Sequence, residues 1–523
     1  MDKVYNQLPT GLREKAGGSC LQDWIVMRLN TDKTCKKSMS FPYKEHIVRH
    51  LISLLFFSLA FLLLSYCNKK KDYTFEEYFN RFDMDGFITA IPQLAPLELK
   101  GGKTIEVQAK NCGACHVKIY NEWKQATHAT ALQDIQYQAE LTKVTSPKWV
   151  CLNCHIPVQN QREYIINKNT KIHIEDKNDL SHITKVKNPG FDPEMQKESV
   201  TCATCHIRSD ENGKSYVVGS YDTEFAAHPV KKDREYLRNI CFRCHSPGFE
   251  QLTDYFQCWF KTKEEMDDNP ASGSKDCVDC HMPVEKRKAT IVDERVPERD
   301  GHKHHWVGGG VPKWYSAYDT LIDRGYESSL KLDVKSVDVK SGRVKISVNY
   351  ENSDSGHLLP TGDPERHIQI RASVMASGKE LAFQKIRIGQ EWDWGDPSTG
   401  RPAKKLDDNR MKPFEKRSWD VELEIPASVK KDPSSAKIVI QAIHVRLKSN
   451  SAKFMMEAKG VDETYLPDGQ NLVKNAIHHY PMASFIYRQD FALDSEDKKL
   501  YSLEELIELS KAEKGKPLQD RLY

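Results

Sequence analysis

The clearest periodicity in the chain lies in its last third. Leu332, Val334, Val337 and Val339 precede a Ser341-Gly342 turn, after which Val344, Ile346, Val348 and Tyr350 alternate with polar residues. This is the period-two pattern of strands with one buried face. Further alternating runs at 368–374, 419–425 and 438–447, separated by Gly, Pro and Asp turns, predict a β-sandwich over 327–450. Beyond it, Ser502-x-x-Glu505 with Leu503, Leu506 and Ile507 predicts a surface helix in an extension over 451–523. Near the other end, Thr74 and Glu77 form a capping box. Phe75, Tyr78, Phe79 and Phe82 then repeat at helical spacing, so a linker over 68–98 carries a short amphipathic helix. An unbroken apolar run at 51–64 follows Lys44, His46 and Arg49; it is shorter than the roughly 17–25 residues of a membrane span.

Between 99 and 326 neither period persists. Instead one pentapeptide, Cys-x-x-Cys-His, stands five times, at 112–116, 151–155, 202–206, 241–245 and 277–281. Thiols at that spacing add across the vinyl groups of a haem, and the adjoining histidine binds its iron from one side. Zinc ribbons need two Cys pairs per metal and no following histidine, and a redox dithiol stands once. The reading is five covalently bound haems c. Cys112, Cys115, Cys151, Cys154, Cys202, Cys205, Cys241, Cys244, Cys277 and Cys280 form the thioethers; His116, His155, His206, His245 and His281 are the proximal iron ligands. These motifs span 170 residues, about 34 each, where an ordinary domain uses roughly 100–150. So sparse a chain leaves the porphyrins as the core of a pentahaem domain over 99–326, with short helices and irregular loops between them. The fold class is therefore α+β: a mainly α and irregular multihaem domain followed by a C-terminal β-sandwich.

Composition adds the compartment. Hydrophobic content of 39% and charged content of 29% suit a soluble exported body rather than a polytopic membrane protein. No basic, aromatic-interleaved patch argues for nucleic acid. Outside the motifs only Cys20, Cys35, Cys67 and Cys258 remain of 14 cysteines. Covalent haem attachment takes place outside the cytoplasm, and a signal over 39–67 provides the export. Leu64-Ser65-Tyr66-Cys67 resembles a bacterial lipoprotein box with Cys67 as the lipidated residue; the alternative, since Tyr66 is not small, is an uncleaved signal anchor. Either tethers the chain to a membrane, in the periplasm or at the cell surface of a bacterium. Residues 1–38 read as an over-extended start. Cys258 is a free structural thiol, an intermolecular bridge or a sulfur ligand.

The second axial ligand of each iron must come from elsewhere. His128 closes a helical face running from His116 through Tyr120 and Trp123, and such a helix carries it towards a neighbouring haem. His228 precedes Pro229, which fixes the local backbone. His302, His304 and His305 cluster before Trp306 and Gly308-Gly309-Gly310, whose lack of side chains lets backbone approach a ring; one of the three ligates, or the cluster binds another metal. His357 opens a Gly-rich loop in the sandwich. For the fifth iron the candidates are His173, His182, Met195 and Met282, or none.

With these pieces in view, the chain resembles the multihaem family built on the cytochrome c554/c-prime domain. The matching residues are Cys112–His116 with Tyr120, Trp123, His128 and Ala129; Cys151–His155 with Ile156-Pro157; Val200, Cys202–His206 and Arg208; His228-Pro229; and Cys277–His281 with Met282-Pro283. The Gly356–Gly362 loop matches the sandwich many relatives carry. The resemblance implies His128 and His228 as distal ligands, His304 or a neighbour as a third and His357 as another. The archetype has four haems, whereas this chain has five motifs.

Three functions are then open. The first is electron transfer between extracytoplasmic donor and acceptor proteins. The second is a multihaem oxidoreductase acting on a small nitrogen or sulfur compound at a five-coordinate haem; the Cys-x-x-Cys-Lys variant of pentahaem nitrite reductases is absent, which weighs against that enzyme. The third is a redox-gated binding protein using a sandwich edge. Site chemistry, not fold, decides among them, and the first is the expectation.

Overall fold

Helices in the motif-bearing region are short. Among the described residues they include Ala109–Gly113, Val117–Lys124, Ile135–Glu140, Lys148–His155, Cys202–His206 and Cys277–His281, none longer than eight residues. The computed structural model describes residues 72–75, 77, 90–143, 148–173, 183–247, 251–258, 260–269, 275–306, 308, 310–396 and 398–523. The export signal, Cys20, Cys35, Cys67 and His182 lie outside them. Among the described residues no helix is long and apolar enough to cross a membrane. The expected capping box is present: the Thr74 amide donates to Glu77 Oε2 at 2.9 Å and the Glu77 amide to Thr74 Oγ1 at 3.2 Å. Phe75 packs edge-on against Trp149, 6.1 Å between ring centres, so this turn anchors the chain entry beside the second motif.

The sandwich is antiparallel throughout. We label its strands β1 (Leu330–Lys340), β2 (Arg343–Asn352), β3 (His367–Ala376), β4 (Lys379–Asp393), β5 (Lys404–Asp408), β6 (Lys416–Glu424), β7 (Ala436–Val445), β8 (Ala483–Ala492) and β9 (Lys498–Leu500). One sheet has the order β1-β2-β6 and the other β5-β4-β3-β7-β8-β9. The alternation in β2 does what it predicts: Val344, Ile346, Val348 and Tyr350 are buried, while Arg343, Lys345 and Asn349 are exposed. Val344, Ile346 and Val348 meet Ala372, Val374, Ile438 and Ile440 of the facing sheet, and Tyr350 meets Ile368 and Ile370. Burying each of the larger ones contributes about 1.5–3 kcal/mol.

The expected boundary at residue 450 falls inside this domain, because β8 and β9 extend the six-stranded sheet beyond it. Between β7 and β8 the chain leaves the sheet and forms helices Ser449–Glu457, Gly469–Lys474 and Ala476–His479. These pack Met455, Val473 and Tyr480 against Ile135 and Ala139 of the motif-bearing region. The segment read as an extension is thus a clasp between the two halves, which share one compact unit. The last helix, Leu503–Lys511, carries the expected Ser502/Glu505 box and buries Leu506 and Ile507 while its other face stays in solvent.

Candidate haem-binding site

Each motif sits on a short helical turn, which brings cysteines three residues apart onto one side. Local capping holds these turns. Asp276 Oδ1 accepts from the Val278 and Asp279 amides ahead of the fifth motif. Behind the third, the Arg208 guanidinium donates to the Thr204 carbonyl at 2.9 Å, placing a cation at the helix C-terminus.

Four of the five motif histidines face a second histidine. Ring centres are 6.2 Å apart for His116 and His228, 6.4 Å for His245 and His128, 6.3 Å for His206 and His304, and 6.3 Å for His281 and His357. That spacing is too wide for ring contact. Two imidazoles binding one metal from opposite sides hold their nitrogens about 4 Å apart, two bonds of about 2.0 Å, and their ring centres roughly 2 Å further. The pairs therefore fit an iron between them.

Protonation agrees with the geometry. Nδ1 of His116, His206, His304 and His357 lies 2.8–2.9 Å from the carbonyl oxygens of Ala289, Val218, His302 and Leu358. A carbonyl can only accept, so Nδ1 carries the proton and Nε2 keeps its lone pair for a metal. Burial also disfavours the charged imidazolium, pushing His128 and His357 down to about 4 and His304 to about 3.

The partner histidines are held by tertiary contacts. Trp123 Nε1 donates to the Val200 carbonyl at 2.9 Å and the Val200 amide to the His128 carbonyl at 3.1 Å, so the helix end carrying His128 is stitched to the approach of the third motif. His304 hangs from a buried ion pair: Arg287 Nη1 lies 2.6 Å from Glu122 Oε1, and Glu122 Oε2 accepts the His304 amide at 2.9 Å. His357 is aligned across the two halves, where buried Glu265 accepts from Thr361 Oγ1 at 2.6 Å and pairs with Arg410. Gly308 lies against His281; a Cβ there would stand 3.1 Å from Cε1 and 3.2 Å from Nδ1. Gly308→Val should therefore tilt His281 and perturb one low-spin haem signal in EPR, with the other signals unchanged.

The remaining candidates divide. His302 does not face a motif histidine; its Nδ1 bonds the Met282 carbonyl at 2.7 Å. His305 lines a surface cleft of about 460 Å³ with Val117, Asn121 and Ile291. Of the three clustered histidines, His304 is the one brought to a motif. Met195 is fully buried in an apolar cluster with Ile91 and Leu94. His173 ends a two-residue strand opposite Asp72. Burial raises the Cys258 thiol to about 11, with Cys244 nearby, which keeps it protonated and unreactive.

His155 has a different setting. Its Nδ1 bonds the Ala131 carbonyl at 2.6 Å, and the Tyr137 ring stacks on it, 3.5 Å between centres and 4° from parallel. Lys313, pushed down to about 8 by burial, pairs with buried Asp134 close by. Sequence reasoning missed Tyr137, Glu122, Arg287 and the role of Trp306. The indole of Trp306 lies edge-on to both His128, at 4.8 Å, and His304, at 5.2 Å. Its backbone is left-handed, with φ of +46°, a conformation that costs a non-glycine residue about 1–2 kcal/mol.

Cysteines of different motifs also lie near one another: Cys112 by Cys202, Cys154 by Cys244, Cys241 by Cys277, and Cys205 within electrostatic range of Cys241 and Cys244.

Residues 111–178 match the family model for cytochrome c554 and c-prime. A penta-heme cytochrome c552 from Thermochromatium tepidum is similar over 76% of this chain and 99% of its own, at 16% identity and a TM-score of 0.41. A β-glucosidase from Kluyveromyces marxianus is similar over 24% of this chain and 15% of its own, at 16% identity and a TM-score of 0.12. The sporulation control protein Spo0M from Bacillus subtilis is similar over 22% of this chain and 41% of its own, at 9% identity and a TM-score of 0.10. No curated protein matches the chain.

Proposed function

We propose that this chain, a multihaem c-type cytochrome, holds five haems and passes single electrons between redox proteins outside the cytoplasm. The observation that carries the reading is the pairing of His116, His206, His245 and His281 with His228, His304, His128 and His357. Two imidazoles saturate an iron and leave no position for a substrate, which suits reversible one-electron exchange. The protein's part is to fix those imidazoles and aim them at one metal. The nearness of cysteines from different motifs adds to this: neighbouring thioether anchors bring their rings near one another, and short gaps are what electron tunnelling needs.

The apolar run at 51–64 and Cys67 support a periplasmic or cell-surface location with a lipid or signal anchor in the membrane, and covalent haem attachment requires that compartment. Donor and acceptor would be exported proteins docking over the outermost haems.

A second reading rests on His155. Its stacked tyrosine and the buried Lys313–Asp134 pair set it apart from the four paired sites, and an iron open there could act on a small nitrogen or sulfur compound. Mass and spectroscopy separate the two. Matured in a competent host, the protein should weigh five porphyrins more than its polypeptide. The oxidised form should show only low-spin signals, and the reduced form should not bind carbon monoxide. One high-spin haem that takes up the gas would hand the protein to the oxidoreductase reading.

A further inference from the structure

The third motif's His206 and the fourth motif's His245 draw their partners, His304 and His128, from distant parts of the chain. Between those two partners stands Trp306, whose indole touches both His304 and His128. Both contacts are edge-on, the preferred arrangement of aromatic pairs. Trp306 also packs against the cluster of Ala109, Trp123 and Ala129, and its left-handed backbone is a conformation that surrounding structure must enforce.

We propose that Trp306 is a bridge by which electrons cross between the haems of the third and fourth motifs, a positioning residue that couples the His304 and His128 imidazoles through its indole. The proposal rests on the electron-carrier reading. Tunnelling decays steeply through empty space and far less through a conjugated ring in contact with both ends, so one indole between two ligand imidazoles shortens the effective gap. No bond forms or breaks; one electron leaves one ligand system and enters the other.

The test uses the full haem-loaded chain with a ruthenium photosensitiser on Ile291→Cys, an exposed position two residues beyond the Ala289 carbonyl that holds His116. A flash injects one electron at the haem of the first motif, and transient absorption follows its spread through the haem of the third motif to that of the fourth. Trp306→Leu should slow that spread by roughly tenfold or more with haem content, potentials and low-spin EPR signals unchanged, and Trp306→Phe, which keeps an aromatic ring, should recover much of the rate. An unchanged rate in Trp306→Leu overturns the bridge. So does loss of the His128 or His304 low-spin signal in both variants, which would make Trp306 a packing residue. If the unsubstituted chain fails to spread the electron at all, the carrier reading itself falls and takes the bridge with it.

Discussion

Replacing Glu122 by alanine is expected to lower stability by about 3 kcal/mol, because it removes the nearest carboxylate from the buried Arg287 guanidinium and leaves it Glu285 at 3.9 Å and the His302 carbonyl. Both side chains are almost fully enclosed, at 5% and 8% exposure, so water cannot take over the lost contact. The same carboxylate holds the His304 amide, and the variant should also disturb the low-spin signal of the His206–His304 pair. A second variant separates the two effects. Glu122→Leu combined with Arg287→Met removes both charges and should regain most of the stability in denaturant unfolding. It does not restore the acceptor for His304, so its EPR spectrum should remain altered. A double variant with a native spectrum would show that Glu122 does not place the ligand.

Removing His357 should expose one iron. His357→Ala takes away the imidazole facing His281 at 6.3 Å and leaves a methyl group that cannot ligate. One haem per chain should turn high-spin, and carbon monoxide uptake should rise by one equivalent over the native protein. The sandwich should keep its melting behaviour, since its core of Val344, Ile346, Ile438 and Ile440 is its own. His302→Ala is the matched control: that ring bonds the Met282 carbonyl, and its loss should leave every haem low-spin. A His357→Ala protein with no new high-spin signal would mean that His281 draws its second ligand from another residue.

Legibility from sequence followed the range of the physics involved. The motif spacing is local chemistry, and strict alternation in β2 is local burial, so both could be read directly. His128, His228 and His357 stand out by their neighbours: a helical face, a proline and the Gly356–Gly362 loop. Choosing His304 over His302 and His305 was not open to such reasoning. That choice depends on the Glu122 carboxylate, which comes from a helix nearly two hundred residues earlier. β4 escaped because its charged residues, such as Glu380 and Lys385, break the apolar alternation on a largely exposed edge of the sheet. β8 escaped for the opposite reason. It is buried at its start through cover supplied by the last helix, with Phe485 against Leu506, and a strand covered on both faces loses the period-two signature.

The four histidine pairs have an interleaved order along the chain: 116 with 228, 128 with 245, 206 with 304 and 281 with 357. With iron in place, each pair closes a loop of roughly 75 to 120 residues, and every loop overlaps the next along the chain. A covalent cross-link closing about 100 residues restrains the unfolded chain by about 4–5 kcal/mol. Metal bonds that survive denaturant would act the same way, so the chain should resist unravelling from either end, and stripping one iron would slacken the mesh without opening it.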